Sequence, residues 1–445
     1  MTDRRKWISS LASVSLGIAT SMVLAPSVSS AQDPPKSRKE REAAEAAAQA
    51  EAPKADYSKE FRKLAAPVQT AVNEKKWAEV LAALPELEAI PEPTRDDKKA
   101  IATWRLQATQ GVGDQEAFAA AIESFLAEGY ADPENVGAMH RQLAAHYSAK
   151  KDNAKTLEHF QKFVENTPDV QADELETLGR LQLQTGMNAE ACQTLGKAID
   201  TVKGKGEKPK EMWYQLLDRC FIETKDDASR LANLEALVSE YPDKEYYSRV
   251  AAIYQAQTND DRTVMLNAYR LAVSDPAGGL ATVGAYLNYA DTALVAGSPG
   301  EAVRALERGM KEGVVPAAGT NQQTLTTAKA AVASDKKTLP GEAASAAKNA
   351  KGEVDVKVGL GFYSTGDYAK AAEAIKRGIA KGGVARLDDA NLLLGASLLE
   401  LGNAEEARAA FEAAKAAAPA GSPLGRIADL WLARAARSGT APAAG

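Results

Sequence analysis

Three histidines and two cysteines among 445 residues leave little material for a metal centre or a thiol enzyme. Aromatic residues make up only 6%. Strands favour aromatic and β-branched side chains, so a β-sandwich or barrel fits poorly. Excess positive charge is missing too. Lys and Arg number 54 against 60 Asp and Glu, a formal net charge of −6. Without clustered cations there is no footprint for a nucleic-acid backbone. Beyond the N-terminus no stretch approaches the ~20 apolar residues that a spanning helix needs. What the chain has in quantity is alanine, 89 residues, within a hydrophobic fraction of 45%. That fraction excludes disorder from end to end. Alanine is the best helix former, and its small side chain lets helices approach closely. The composition points to an all-α chain.

The N-terminus reads as an address. Arg4, Arg5 and Lys6 precede an apolar stretch from Trp7 to about Ala25 that is diluted by serines. Ser29-Ser30-Ala31 then places small residues before a cut between Ala31 and Gln32. This is the pattern of a cleaved secretory signal peptide over residues 1–31. Arg4-Arg5 with Trp7-Ile8 also has the look of a twin-arginine signal, and the general secretory route is the simpler reading. The expected location of the mature chain is an exported compartment, most simply a bacterial periplasm, with no integral membrane span. Residues 32–56 hold Pro, Lys, Glu and Ala but no large apolar residue. They bury too little to offset ordering entropy and read as a flexible tether.

From about Tyr57 onward, some twenty amphipathic helical stretches alternate with short polar breaks. The clearest unit contains Leu394-Gly395, Leu398, Gly402-Asn403, Ala407, Phe411, Ala414 and Pro419. Related units contain Val358-Gly359, Phe362, Gly366-Asp367, Ala371 and Ile375, and Leu178-Gly179, Gly186, Ala191, Leu195 and Ala198. Leu143-Ala144, Tyr147, Phe160, Phe163 and Pro168 form an earlier copy, and Trp213 and Tyr247 stand at equivalent starting positions. Gly395, Ala407 and Ala414 let two helices approach, larger residues fill between them, and Gly402 turns the chain. This order resembles the tetratricopeptide (TPR) repeat, with Asn391 where that repeat usually has Trp. Repeats at 34–36 residue steps are the mark of a solenoid. Weaker units run through Trp77 and Trp104. In the poorest region, residues 316–350, the pattern predicts a pair of helices over Asn321–Ala333 and Gly341–Ala350. The expected architecture is an all-α, TPR-type α-solenoid over residues 57–421, a right-handed superhelix of antiparallel helix pairs. A capping helix over 422–437 and a disordered tail over 438–445 complete it. The cap begins Ser422-Pro423 and carries an apolar stripe of Leu424, Ile427, Trp431 and Ala435.

A narrower likeness covers roughly the last 225 residues. Leu234-Glu-Ala-Leu-Val-Ser-Glu-Tyr-Pro242, Glu245-Tyr-Tyr with Ala252-Ile-Tyr254, and Asp388-Asp-Ala-Asn-Leu-Leu-Leu-Gly395 resemble exported bacterial TPR proteins found with TonB–ExbB–ExbD energy-transducing systems. The resemblance implies a scaffold or adaptor rather than a catalyst.

Catalytic and cofactor motifs are missing. His140 and His146 are six residues apart and do not share a helix face, and no Cys or carboxylate stands at ligand spacing to join them or His159. Gly359-Leu-Gly361 lacks the third glycine and preceding strand of a dinucleotide loop. Gly297-Ser-Pro-Gly300 lacks the context of a nucleophile elbow. No metal, cofactor or catalytic residue is expected. Cys192 and Cys220 begin and end helices of neighbouring repeats, and the sequence leaves open two buried thiols or one disulfide. Closing a loop of about 28 residues would be worth at most ~3.6 kcal/mol.

In a solenoid of helix pairs the first helices line a concave groove. Repeat register places Arg141, Arg180, Tyr214, Asp218 and Tyr363 toward it, as charged and aromatic anchors for a peptide or a partner helix. The expected function is a non-enzymatic periplasmic adaptor for proteins of the cell envelope, with a TonB-type complex foremost. A chaperone-like assembly factor for outer-membrane or cell-wall proteins, and more remotely a cryptic envelope hydrolase, are the alternatives.

Overall fold

A computed structural model describes residues 55–258 and 261–438. The signal peptide, nearly all of the tether and the tail after Ser438 lie outside the described residues. Among the described residues there are 20 helices and no strand, and no helix is long and apolar enough to cross a membrane. The chain divides into two compact units, one ending at Lys197 and one starting at Ala198. The first contains α1 (Lys59–Asn73), α2 (Trp77–Glu88), α3 (Arg95–Val112), α4 (Gln115–Ala127), α5 (Pro133–Ala149), α6 (Asn153–Glu165), α7 (Ala172–Gln184) and the start of α8 (Asn188–Gly204). The second holds the end of α8, then α9 (Glu211–Thr224), α10 (Asp227–Glu240), α11 (Lys244–Thr258), α12 (Arg262–Ser274), α13 (Val283–Val295) and α14 (Pro299–Lys311). It continues with α15 (Gly319–Lys348), α16 (Gly352–Thr365), α17 (Tyr368–Lys381), α18 (Leu387–Glu400), α19 (Ala404–Ala417) and α20 (Pro423–Ser438).

Two local devices make the helix pairs. The first is the turn. A residue at positive φ ends one helix, and an Asp or Asn after it stands at the N-cap position of the next. Gly113-Asp114, Gly366-Asp367 and Gly402-Asn403 follow this rule, with φ of 79°, 82° and 78° at the glycines. Asp114 accepts from the Ala117 amide at 2.9 Å and Asp367 from Lys370 at 3.2 Å. Lys151-Asp152 and Lys225-Asp226 make the same turn with lysine at φ 62° and 57°. The second device is a small residue facing a large one sixteen positions on. A Cβ at Gly179 would lie 2.7 Å from Leu195, one at Gly359 2.4 Å from Ile375, and one at Gly395 2.3 Å from the Phe411 ring. Ala144 and Phe160 share a core cluster at the same offset. Each large side chain thus fills the space its small partner leaves, and the pair closes to native packing density.

The region 316–350 differs from the sequence expectation. It forms one 30-residue helix, α15, with Pro340 inside it. Gly341 is not among the glycines that adopt a positive φ, the conformation that turns the chain at Gly366 and Gly402. The intervening Ser-Asp-Lys-Lys-Thr-Leu holds no glycine, and Pro340 sits exposed, where a lost backbone hydrogen bond costs least. Leu339 uses the gap above Gly361, where a Cβ would stand 2.5 Å from its methyl carbon. The capping helix is present as α20, and it reaches beyond α19 to α10, α12 and α18 of the same unit.

Candidate protein-interaction groove

In the first unit the C-terminal end of α6 approaches α5 closely. A Cβ on Gly137 would meet the Thr167 hydroxyl at 2.6 Å and the Asn166 carbonyl at 2.9 Å. Beside this contact α4, α5 and the residues after α6 enclose an open groove of about 850 Å³. Phe118, Ile122 and Phe163 supply apolar lining, while Glu134, Arg141 and Lys151 supply charge. Arg141, one of the candidates from the sequence, is in the lining. Its guanidinium lies 5.3 Å from the Phe163 ring centroid and pairs with Glu174 of α7 at 3.1 Å. It remains partly exposed, at 37% of its side chain, so a ligand carboxylate or carbonyl has access to it. His146 also lines the groove and lies 3.5 Å from Glu116, which Lys150 binds at 2.8 Å. The site therefore combines an apolar lining with groups of both charges.

The other sequence-predicted residues are placed differently. Arg180 on α7 lies outside that lining and pairs with Glu176 at 2.8 Å. Tyr214, Asp218 and Tyr363 do not present themselves to an open groove: they are buried, at 2%, 3% and 4% exposure. Tyr214 donates to Glu240 at 2.6 Å and its carbonyl accepts from Asn233, and burial pushes its phenol well above the ordinary range. Asp218 is held by Arg230 at 2.8 Å and Arg249 at 3.0 Å. Tyr363 lies between two guanidiniums, Arg270 at 5.4 Å and Arg304 at 5.5 Å from its ring centroid. Repeat register assigned the correct helices, but neighbouring helices cover these side chains.

Tyr363 belongs to a polar core that the sequence did not reveal. Arg270 of α12 and Glu301 of α14 form a two-pronged ion pair, 2.8 and 2.7 Å, with 2% and 0% side-chain exposure. Tyr289 and Ser298 donate to the same carboxylate at 2.9 and 2.6 Å. Asn267 donates to Asp389 of α18 at 2.7 Å, and burial raises the Asp389 pKa. Each carboxylate oxygen of Glu301 thus accepts two hydrogen bonds, which is the condition for keeping a charge in a protein interior. A buried Glu within an otherwise amphipathic helix has the same letter as a surface Glu, so periodicity alone does not mark it.

Residues 389–420 match the family model of the tetratricopeptide repeat. Helices α18 and α19 therefore carry a tetratricopeptide repeat. No curated protein matches its sequence. Among solved structures it is similar to a tetratricopeptide repeat protein from Parabacteroides merdae, with 14% identity over 67% of this chain and 99% of that one, at a TM-score of 0.26. It is similar also to the TPR2AB domain–pHSP90 complex of yeast Sti1, with 10% identity over 67% and 98% of the two chains, at a TM-score of 0.22. The tetratricopeptide fold is that of a protein–protein interaction scaffold.

Two of the histidines, His140 and His159, are buried against each other. His140 and His159 meet through their Nδ1 atoms at 3.1 Å, and Tyr147 stacks on His159 at 5.5 Å. Burial, followed by the neighbouring His159, lowers the His140 pKa to about 4, which keeps this imidazole neutral near pH 7. Among the described residues no group of three or more His, Cys, Asp or Glu is arranged to hold a metal ion. Neither Cys192 nor Cys220 is a free thiol.

Proposed function

We propose that this protein is a non-enzymatic adaptor of the bacterial cell envelope, exported through its N-terminal segment, and that the groove beside Arg141 holds an extended segment or helix of an envelope protein. The observation that carries this reading is the groove itself, an apolar lining with an accessible guanidinium. The residues quoted for the TonB–ExbB–ExbD likeness support a TonB-type energy-transducing complex as the setting.

A photoreactive crosslinker placed at Ala138, inside the groove, tests this in the native envelope. A specific adduct with an envelope protein is expected, and its absence removes the groove as the site. Reversing charge in Arg141→Glu should weaken that partner's binding at least about tenfold, or ~1.4 kcal/mol, while Arg180→Glu, outside the lining, should not. The helical circular dichroism should stay unchanged, because both arginine side chains are partly exposed, at 37% and 32%. Binding that survives Arg141→Glu refutes the role of this arginine.

We further propose that Cys192 and Cys220 form one disulfide, stable in an oxidising compartment. Ellman titration of denatured protein should find no thiol before reductant and two after it. Two thiols from the outset would exclude the bridge.

A further inference from the structure

The C-terminal helix α20 is held by a surface that reads arginine. Its apolar stripe, Leu424, Ile427, Leu430 and Trp431, is buried. Arg426 forks onto Glu235 of α10 at 2.9 and 2.5 Å. Arg437, eleven residues on and so three turns along the same face, donates to the Ser239 carbonyl and to Asp275, both at 2.6 Å. Arg434 donates to the Ser274 carbonyl. Ser239 lies in the last turn of α10 and Ser274 ends α12. Their carbonyls belong to the set a helix leaves unpaired at its C-terminus, where its dipole is negative. Both receiving carboxylates are oriented from behind by α11: Tyr254 donates to Glu235 at 2.5 Å and Tyr247 to Asp275 at 2.9 Å. Two carboxylates held by buried tyrosines, with two helix ends beside them, form a built receptor for guanidinium groups.

Apolar shielding alone does not require this receptor, and a second helix with the same arginine spacing would fit it. We propose that α20 occupies in cis a docking site formed by α10, α11 and α12, and that the trans ligand of this site is an amphipathic helix with arginines eleven residues apart beside an apolar stripe. The short segment Pro419-Ala420-Gly421, with Gly421 at φ 71°, is the hinge on which α20 leaves. The site is separate from the groove beside Arg141 and does not depend on the function proposed there.

The test uses the full chain and one probe, a fluorescein-labelled peptide of residues 422–438. Arg426→Glu/Arg437→Glu should speed amide exchange in α20 at least tenfold while leaving α1 to α7 unchanged. The variant should then bind the peptide at least tenfold more tightly than the wild type, whose own helix competes. A peptide with both arginines replaced by alanine should bind at least tenfold more weakly. Restoring the pair by Glu235→Arg with Arg426→Glu should return the α20 protection. If the double reversal unfolds the second unit, Arg426→Lys/Arg437→Lys keeps the charge but loses the fork, and the same comparison is made on it. Unchanged α20 exchange overturns the proposal. So does a loosened variant that ignores the peptide, or one that binds the arginine-free peptide equally well.

Discussion

Glu301→Ala should destabilise the second unit by about 3–5 kcal/mol, the cost of leaving a buried charge without its partner. The size follows from the geometry. Arg270 has 2% exposure and both its prongs on Glu301, so removal of the carboxylate strands a cation that water cannot reach. Tyr289 and Ser298 lose their acceptor in the same step. Glu301→Gln keeps the volume and part of the hydrogen bonding, so it should cost less. Arg270→Met/Glu301→Leu removes both charges and should recover most of the loss, since apolar replacements of buried pairs are often neutral or stabilising. Urea unfolding of the four proteins decides it, and a loss below ~1 kcal/mol for Glu301→Ala would show that the pair is not desolvated as described. Acid should show the same interaction. Burial raises the Glu301 pKa, but the charge and hydrogen bonds of Arg270 outweigh it, so the net shift is downward. A carboxylate with a lowered folded pKa stabilises the protein above its ordinary value of 4.5. The contribution fades as pH falls from there through the folded value. Glu301→Gln should lack that part of the acid dependence.

The helix pairs were legible because their devices are local. Gly402-Asn403 announces a turn, and Gly395 with Phe411 announces a close approach sixteen residues on. Where lysine takes the positive φ, at Lys151 and Lys225, the turn remains but its letter disappears, and only the following Asp marks it. The single helix α15 escaped for the opposite reason. Pro340-Gly341 resembles Pro299-Gly300 in letters, yet Pro299 starts α14 and Pro340 lies inside α15. Site residues were less legible than helices. Repeat register says on which helix Tyr363 lies, but not that Arg270 and Arg304 come over its ring from α12 and α14. Nor does it show Arg426 meeting Glu235 across 191 positions. Such contacts depend on how the second unit curls back on itself, which no window of 34 residues contains.

Phe411→Ala is the other large expected effect, about 3–5 kcal/mol for a ring removed from a packed core. Phe411 has 0% exposure and fills the space that Gly395 leaves open on α18. Its other face stacks on Trp431 of α20, with ring centroids 5.0 Å apart and planes 16° from parallel. One side chain therefore joins the pair α18–α19 to the helix that closes the unit. Its loss opens a cavity on both sides and removes the ring contact that ties α20 to α19. Hydrogen exchange separates this from the arginine variants. Phe411→Ala should loosen α18, α19 and α20 together, because the cavity lies between them. Arg426→Glu/Arg437→Glu should loosen α20 and the C-terminal turns of α10 and α12 while α18 and α19 stay protected. If Phe411→Ala instead left α18 and α19 as slow to exchange as the wild type, the interlock between Gly395 and Phe411 would not be what holds the last repeat closed. The arginine contacts and the aromatic contact then divide the work on α20: the ring sets how firmly the helix rests on α19, and the guanidiniums set which surface it faces.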